Sequence, residues 1–171
     1  MKAMIMLITG GVKAGKSRRA LAVALERWPG AIAFVATAEA LDGEMESRIR
    51  RHQEERAALG GSGRFTTIEE PLELDKALVQ AGGFAVVDCL PMWVNNRMYY
   101  KREQDFLPIL ERAVKAMGNC IVVSNETGLG NIPFDEDVRR YNTLLAHANR
   151  IIAAAADSVE CMIAGIPLKV K

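Results

Sequence analysis

A glycine-rich segment near the start of the chain, Gly10-Gly11-Val12-Lys13-Ala14-Gly15-Lys16-Ser17, has the spacing G-x-x-x-x-G-K-S. Glycines at these positions let successive backbone N–H groups curl around a polyphosphate. We expect Lys16 to reach the β- and γ-phosphates and the Ser17 hydroxyl to ligate Mg²⁺. A plain turn between a strand and a helix is the alternative, but the apolar run before the segment and the helix-forming stretch after it favour a nucleotide-binding loop.

A carboxylate ends another apolar run, because Val86 and Val87 lead directly into Asp88. At the end of a buried strand an aspartate can hold Mg²⁺, directly or through water, opposite Ser17. The alternative role is to cap the turn before Pro91. The phosphate loop upstream favours the metal role, so we predict Ser17 and Asp88 as the metal site.

A charged segment, residues 41–56, contains a possible nucleophile. If it is helical, Arg48, His52 and Arg56 stand at i, i+4 and i+8 on one face. Two guanidinium groups favour the neutral, nucleophilic form of an imidazole between them, and they can also clamp phosphate oxygens. Such a face could attack the α-phosphorus of a nucleotide, with pyrophosphate leaving into the glycine loop. From spacing alone, however, a solvated helix laced by Glu–Arg pairs is the favoured interpretation, with His52 incidental. The other histidine, His147, lies among small apolar residues and is predicted to be structural.

The elements that must position these residues follow from alternating apolar runs and helical patterns. Strands without strict alternation, separated by helices, indicate an α/β fold with a mostly parallel sheet and helices on both faces. Ligands bind at the carboxyl ends of such strands, where Gly10, Thr37, Asp88 and Asn125 fall. The predicted strands are Met4–Thr9, Ile32–Thr37, Phe65–Ile68, Phe84–Asp88, Ile121–Asn125, Val159–Ile163 and Leu168–Val170. The predicted helices are Lys16–Arg27, Gly43–Leu59, Leu72–Ala81, Leu107–Met117 and Asp135–Ala156.

Bulk properties restrict the class of protein further. The length predicts one domain over residues 1–171, and a net charge of +1 with half the residues hydrophobic argues against disorder or a surface that coats nucleic acid. Three cysteines without C-x-x-C spacing fit reduced thiols in the cytoplasm. No apolar run approaches the roughly 20 residues of a membrane helix. The irregular segment Pro91–Gln104 is predicted to be a rim or a subunit contact.

The chain resembles, over essentially its whole length, the bifunctional adenosylcobinamide kinase/adenosylcobinamide-phosphate guanylyltransferases of cobalamin assembly. The segments that carry the resemblance are ITGGVKAGKS, VATAEALDGEMESRIRRHQEER, VVDCLPMWVNN, VVSNETGLGNIP and AGIPLKVK. The resemblance implies a P-loop NTPase fold with a RecA-like core and a homotrimer. It also implies two reactions. A nucleoside triphosphate phosphorylates the aminopropanol hydroxyl of adenosylcobinamide; GTP then forms GMP-His52, which the phosphorylated corrinoid attacks to give adenosylcobinamide-GDP.

The resemblance also implies the roles of individual residues. His52 becomes the GMP-histidine nucleophile, which reverses the preference drawn from spacing alone, and Lys16 becomes the second catalytic residue. The implied cofactors are GTP, ATP and Mg²⁺, and the implied partner is the corrinoid substrate, with no nucleic acid. Together with the spacing argument for Arg48, the expected nucleotide contacts are Gly10, Gly11, Val12, Lys13, Ala14, Gly15, Lys16, Ser17, Thr37, Ala38, Glu39, Arg48, Gln53, Glu54, Glu55, Arg56, Glu69 and Asp88.

Some positions depart from the family pattern. Lys13-Ala14 replaces a usual Arg-Ser pair, with positive charge retained. In residues 139–150 the positions Asn142, Thr143, Ala146 and Arg150 differ, which bears on corrinoid specificity. Three alternatives therefore stay open from the residues themselves: another small-molecule kinase that uses the phosphate loop and Asp88 but not His52, a relative with guanylyl transfer only, and a non-catalytic nucleotide-binding protein.

Overall fold

The computed structural model describes residues 3–40, 42–60, 63–130 and 132–171. Within these ranges strands and helices alternate along most of the chain. The strands are β1 (Ile5–Gly10), β2 (Ile32–Ala36), β3 (Phe65–Glu69), β4 (Phe84–Asp88), β5 (Asn119–Val123), β6 (Ser158–Ile163) and β7 (Ile166–Lys169). The helices are α1 (Lys16–Arg27), α2 (Gly43–Gly60), α3 (Leu74–Ala81), α4 (Leu90–Tyr99), α5 (Phe106–Ala116) and α6 (Glu136–Ala155).

The strands form one sheet in the order β3-β2-β4-β5-β1-β6-β7. Strands β1 to β6 pair in parallel, and β7 alone among the described strands is antiparallel, paired with β6. Strand β1 is therefore interior to the sheet, and β5 separates it from β4. The predicted α/β class with a mostly parallel sheet is confirmed.

Helices cover both faces of this sheet because the strands are apolar on both sides. Successive strand residues point to opposite faces. In β1, Met6 and Ile8 pack in the core that α1 shares, whereas Leu7 packs in the core formed with α3, α4, α5 and α6. Burial of such side chains is the main favourable term for the fold.

The prediction for Pro91–Gln104 is wrong in its first half, which forms the buried helix α4. Pro91 lies in the first turn, where a proline is tolerated because its missing N–H has no partner in the helix anyway. The indole of Trp93 is fully buried, stacks on Phe106 at 5.0 Å between ring centroids, and donates from Nε1 to the Leu72 carbonyl at 2.8 Å. The helix therefore belongs to the core.

Arg97 explains why the sequence pattern of α4 is misleading. This arginine suggested a surface, but its side chain is fully buried. It donates to the Arg102 carbonyl, and the carboxylates of Glu73 and Asp105 lie 3.9 and 3.8 Å from its guanidinium nitrogens. Local pairing of this kind lets a charged group enter a core, and residue type alone does not reveal it.

Other differences from the predicted elements are shifts of a few residues at their ends. Strand β5 begins two residues earlier than predicted and ends at Val123, so that Ser124 and Asn125 belong to the following loop. The three cysteines are free thiols, with Cys120 buried. Among the described residues, no helix is long and apolar enough to span a membrane.

Candidate active site

The glycine-rich segment forms a loop between β1 and α1 at the carboxyl end of the sheet. Gly10 has φ 138°, and a Cβ at this position would lie 2.5 Å from the Met162 carbonyl oxygen, so a larger residue would clash with β6. Gly15, at φ 89°, is the N-cap of α1, and no side chain caps the helix there. The N–H groups of the first turn of α1 therefore face the loop, which suits an anion.

Lys16 is held inside this loop. Lys16 is only 8% exposed, and its Nζ donates to the Gly11 carbonyl at 2.6 Å. Burial lowers the pKa of Lys16, and the nearby Cys89 and Asp88 partly offset that effect. A buried ammonium is favoured by a neighbouring anion, so this lysine is suited to a phosphate.

Asp88 ends β4 beside the first turn of α1. Burial raises the pKa of its carboxyl, while a side-chain hydrogen bond with Ser17 and the nearby His52, Arg56 and Lys16 act in the opposite direction. Ser17 and Asp88 thus bring a hydroxyl and a carboxylate oxygen together. Among the described residues no group of three His, Cys, Asp or Glu side chains could form a metal cage. Two protein oxygens fit Mg²⁺, which usually completes its coordination with phosphates and water.

A cavity of about 330 Å³ connects Ser17 and Asp88 with the helix that carries His52. The predicted helix over the charged segment is observed as α2, and its inner face carries His52 and Arg56 into this cavity. Arg48, one turn earlier, is exposed but lies near enough to lower the pKa of Lys16. The residues that line the cavity are Ser17, Arg18, Leu21, Phe34, His52, Glu55, Arg56, Ala58, Leu59 and Asp88.

Two charged neighbours of His52 have defined contacts. The Glu55 carboxylate lies 3.4 Å from His52 Nδ1. Arg56 is buried with its guanidinium 3.8 Å from the centroid of the Phe34 ring, and it donates to Thr67 Oγ1 at 3.4 Å. Burial lowers the pKa of Arg56, whereas Asp88 and Glu69 counteract this. The positive charge of Arg56 therefore lies beside the two carboxylates that end β4 and β3.

Other predicted contacts lie outside the lining of this cavity. Thr37 is completely buried; its hydroxyl donates to the Cys89 carbonyl at 2.7 Å and accepts from the Cys89 N–H at 3.0 Å. It joins the ends of β2 and β4, and its backbone carbonyl accepts from Asn96. Ala38 follows it, and Glu39 accepts from the Tyr100 hydroxyl at 3.3 Å.

Gln53 and Glu54 are exposed on α2 and do not line the cavity. Along the phosphate loop, Gly11, Val12 and Lys13 are exposed and Ala14 is half-buried. As nucleotide contacts, these residues stay predictions.

Sequence reasoning missed the apolar wall of the cavity, formed by Leu21, Phe34, Ala58 and Leu59. A helical signal was present for part of it. Leu21 follows Ser17 by four residues, and Leu59 follows His52 by seven, so each shares a helix face with a predicted site residue. Phe34 has no such signal, because it reaches the cavity through the sheet.

A glycine loop between an interior parallel strand and a helix, with a lysine, a serine and a strand-end aspartate, defines a P-loop nucleotide-binding protein of the α/β class. The chain belongs to the cobinamide kinase / cobinamide phosphate guanyltransferase family, whose model matches residues 6–170.

Relatives and a solved structure were also found. The chain is 38% identical over 172 residues to the bifunctional adenosylcobalamin biosynthesis protein CobP of Pseudomonas aeruginosa, and the match covers 96% of each chain. It is 27% identical to the corresponding CobU protein of Escherichia coli, covering 98% of this chain and 100% of the relative. The flagellar accessory protein FlaH of Methanocaldococcus jannaschii has a TM-score of 0.49 at 14% identity, covering 98% of this chain and 78% of FlaH.

The predicted family and the two predicted activities are thereby confirmed. The protein is a transferase of adenosylcobalamin biosynthesis that acts as a cobinamide kinase and a cobinamide phosphate guanylyltransferase. It binds a nucleotide and acts on a corrinoid. An unrelated small-molecule kinase and a non-catalytic relative are no longer alternatives.

Proposed function

We propose that His52 is the residue that takes GMP from GTP, and that both reactions, phosphorylation and guanylyl transfer, use the same phosphate loop. One observation carries this proposal. His52 lines the same cavity as Ser17 and Asp88, and it lies near enough to Asp88 to affect the pKa of that carboxyl. A triphosphate seated on the loop would therefore have its α-phosphorus within reach of the imidazole.

The first half of guanylyl transfer forms a nitrogen–phosphorus bond. His52 Nε2 attacks the α-phosphorus of GTP, and the bond to the β-phosphate oxygen breaks, so that pyrophosphate leaves into the glycine loop. Lys16 and the N–H groups at the start of α1 stabilise the charge on that leaving group. The Glu55 carboxylate beside Nδ1 favours the tautomer with its proton on Nδ1, which leaves the lone pair on Nε2.

In the second half, a phosphate oxygen of adenosylcobinamide phosphate attacks the phosphorus of GMP-His52. The nitrogen–phosphorus bond breaks, the electron pair returns to Nε2, and adenosylcobinamide-GDP is released. The guanidinium groups of Arg48 and Arg56 would hold phosphate oxygens during both displacements. Gln53, Glu54 and Glu69 are proposed as further nucleotide contacts near the nucleophile.

The kinase reaction moves a γ-phosphoryl group from ATP or GTP to the corrinoid hydroxyl. Ser17 and Asp88 would hold Mg²⁺, which supplies neutralisation of phosphate charge in this reaction. Gly10 to Ser17 bind the phosphates, and Thr37, Ala38 and Glu39 lie at the neighbouring strand end. By family resemblance, we further propose that residues 1–171 work as one domain in a cytoplasmic homotrimer.

Mass spectrometry after incubation with GTP and Mg²⁺ tests the histidine. We expect a GMP-sized adduct on His52, absent from His52→Ala, while that variant still phosphorylates adenosylcobinamide. His147→Ala is the matched control, since His147 lies half-buried on α6 and outside the cavity. A His52→Ala protein that still acquires GMP would overturn the assignment.

A further inference from the structure

The cavity beside His52 cannot contain a whole corrinoid. Its volume of about 330 Å³ lies at the small end of the range for ligand pockets. A corrinoid is a macrocycle with many amide side chains and is much larger than a nucleotide. Most of this substrate must therefore lie on the protein surface, with the arm that bears its hydroxyl or phosphate reaching the phosphate loop.

The loop between β5 and α6 presents an unusual surface for such a ligand. Leu129 is 87% exposed, Ile132 is 85% exposed and Phe134 is completely exposed. We call these three side chains the apolar patch. Single exposed hydrophobic residues are common, but three bulky ones within six positions of one loop are typical of an interaction surface.

The loop that carries the apolar patch is bonded to the start of the phosphate loop. At the start of its loop, the Glu126 N–H donates to the Gly10 carbonyl at 3.1 Å, and the Glu126 carboxylate accepts from the Gly128 N–H at 2.9 Å. Gly10 begins the glycine-rich segment, in which Val12 is another exposed apolar side chain, at 73%. The loop that carries the patch therefore begins beside the first residue of the phosphate loop, three residues before Leu129.

The other end of this loop is also held in place. Arg139, in the first turns of α6, donates from Nη1 to the Pro133 and Phe134 carbonyls. Back at the start of the loop, Asn149 Nδ2 donates to the Asn125 carbonyl at 2.9 Å, and Asn149 Oδ1 accepts from the Ser124 hydroxyl. Exposure of Phe134 is thus a feature of a loop that is bonded at both ends.

We propose that Leu129, Ile132 and Phe134 form the docking surface for the apolar ring face of the corrinoid substrate. The corrin ring is a broad, conjugated and methyl-bearing surface, which matches three aliphatic and aromatic side chains better than it matches a polar rim. The proposal rests on the proposed function in one respect. It assumes that the hydroxyl and the phosphate of the corrinoid substrates react at the phosphate loop and His52.

Equilibrium dialysis of cobinamide, read by its visible absorption, tests this docking surface. We expect Phe134→Ala and Leu129→Ala each to weaken binding by roughly tenfold or more, because each variant loses the free energy gained when an aromatic or branched side chain is buried against the ligand. Val79→Ala is the matched control, because Val79 is 70% exposed on α3 near the opposite edge of the sheet. It should bind cobinamide like the parent protein. Since Phe134 is completely exposed, its removal should not unfold the chain.

Two further measurements separate the outcomes. The GMP adduct with GTP should form normally in both patch variants, because it does not require a corrinoid, and light scattering should give an unchanged molar mass. Unchanged cobinamide affinity in both variants would overturn the proposal. So would a changed molar mass, which would make the patch a contact between copies of the chain. A missing GMP adduct in the parent protein would count against His52 and would leave the dialysis result standing.

Discussion

Asp88 keeps a carboxylate in a place where burial opposes its charge. Burial raises the pKa of the group, and the hydrogen bond with Ser17 and the nearby His52, Arg56 and Lys16 only partly reverse that shift. The native state therefore binds a proton on Asp88 more readily than the unfolded chain does. Stability from this group is then greatest at low pH and falls as the pH rises between the unfolded and the folded pKa.

Because the charged carboxylate of Asp88 destabilises the folded state, we expect its replacement to raise stability and to lower activity. We expect Asp88→Asn to melt at a higher temperature than the parent protein near neutral pH, by about 2–4 °C for each kcal/mol of relief. The gap should shrink as the pH falls and Asp88 itself becomes neutral. The same variant should lose at least about a hundredfold in both activities, because it lacks the carboxylate that would hold Mg²⁺.

Calorimetry across a pH series, with both activities assayed in parallel, tests the Asp88 prediction. Asp137→Asn, on the exposed first turn of α6, controls for a change in net charge. An Asp88→Asn protein that melts lower at neutral pH, or that keeps full activity, would contradict it.

The phosphate loop and Asp88 were predicted from residue type and spacing, and the structure brings Ser17, Asp88 and His52 to one cavity. His52 was predicted as the nucleophile only through the family resemblance, because spacing alone favoured a solvated helix face. Phe34 was not found, because it reaches the cavity through the sheet, where it also lies under the Arg56 guanidinium. Spacing along a strand carries no information about such a contact.

At the scale of elements, helix α2 carries the proposed nucleophile His52 although it has little apolar surface. Most of its described residues are exposed, and Arg56 is buried against the Phe34 ring of β2. A guanidinium over an aromatic ring contributes about 0.5–2 kcal/mol, depending on how far it is desolvated. This contact therefore helps to hold the helix that carries His52 against the sheet.

Arg56 variants test that contact. We expect Arg56→Ala to slow GMP adduct formation by about tenfold or more, since α2 loses its attachment and the site loses a positive charge. Arg56→Lys should restore little, because an ammonium keeps the charge but lacks the planar stacking surface. Phosphorylation of cobinamide should fall less, because that reaction does not use His52.

The rate of adduct formation, measured by quenched time points and mass spectrometry, gives the comparison. Arg51→Ala is the matched control, since Arg51 is exposed on the same helix and does not line the cavity. If Arg56→Lys formed the adduct at the parental rate, charge alone would account for Arg56, and the stacking role would be wrong.

Predicted elements were mostly correct because apolar runs and helical spacing are local signals. Helix α4 was the exception, since Pro91 and Arg97 read as loop and surface residues. The first is tolerated only because it falls in the first turn, and the second is paired by carboxylates from outside the helix. Both reasons lie in tertiary structure.

At the scale of the whole molecule, strand order brings the proposed site residues to the carboxyl ends of the parallel strands. The carboxyl ends of β1 and β4 bring the phosphate loop and Asp88 together, and β2 and β3 bring Phe34 and Glu69 to the same side. The sequence predicted a parallel sheet but not this order, because pairing between distant strands leaves no periodic signal. This order is consistent with the proposal that one nucleotide site serves both activities.

Lys16 is the group through which this shared site can be tested. Under the proposal, phosphorylation and guanylyl transfer both place a triphosphate on the same loop, so Lys16→Ala should impair cobinamide phosphorylation and GMP adduct formation alike, each by about a hundredfold or more. The free protein should be at least as stable as the parent, since burial lowers the pKa of Lys16 and its removal relieves that cost.

A nucleotide that binds the folded state raises the melting temperature according to its affinity. We therefore expect GTP with Mg²⁺ to raise the melting temperature of the parent and to have much less effect on Lys16→Ala. Lys76→Ala is the control, because Lys76 is exposed on α3. If Lys16→Ala lost one activity and kept the other, the two reactions would need separate phosphate sites, and the shared loop would be refuted.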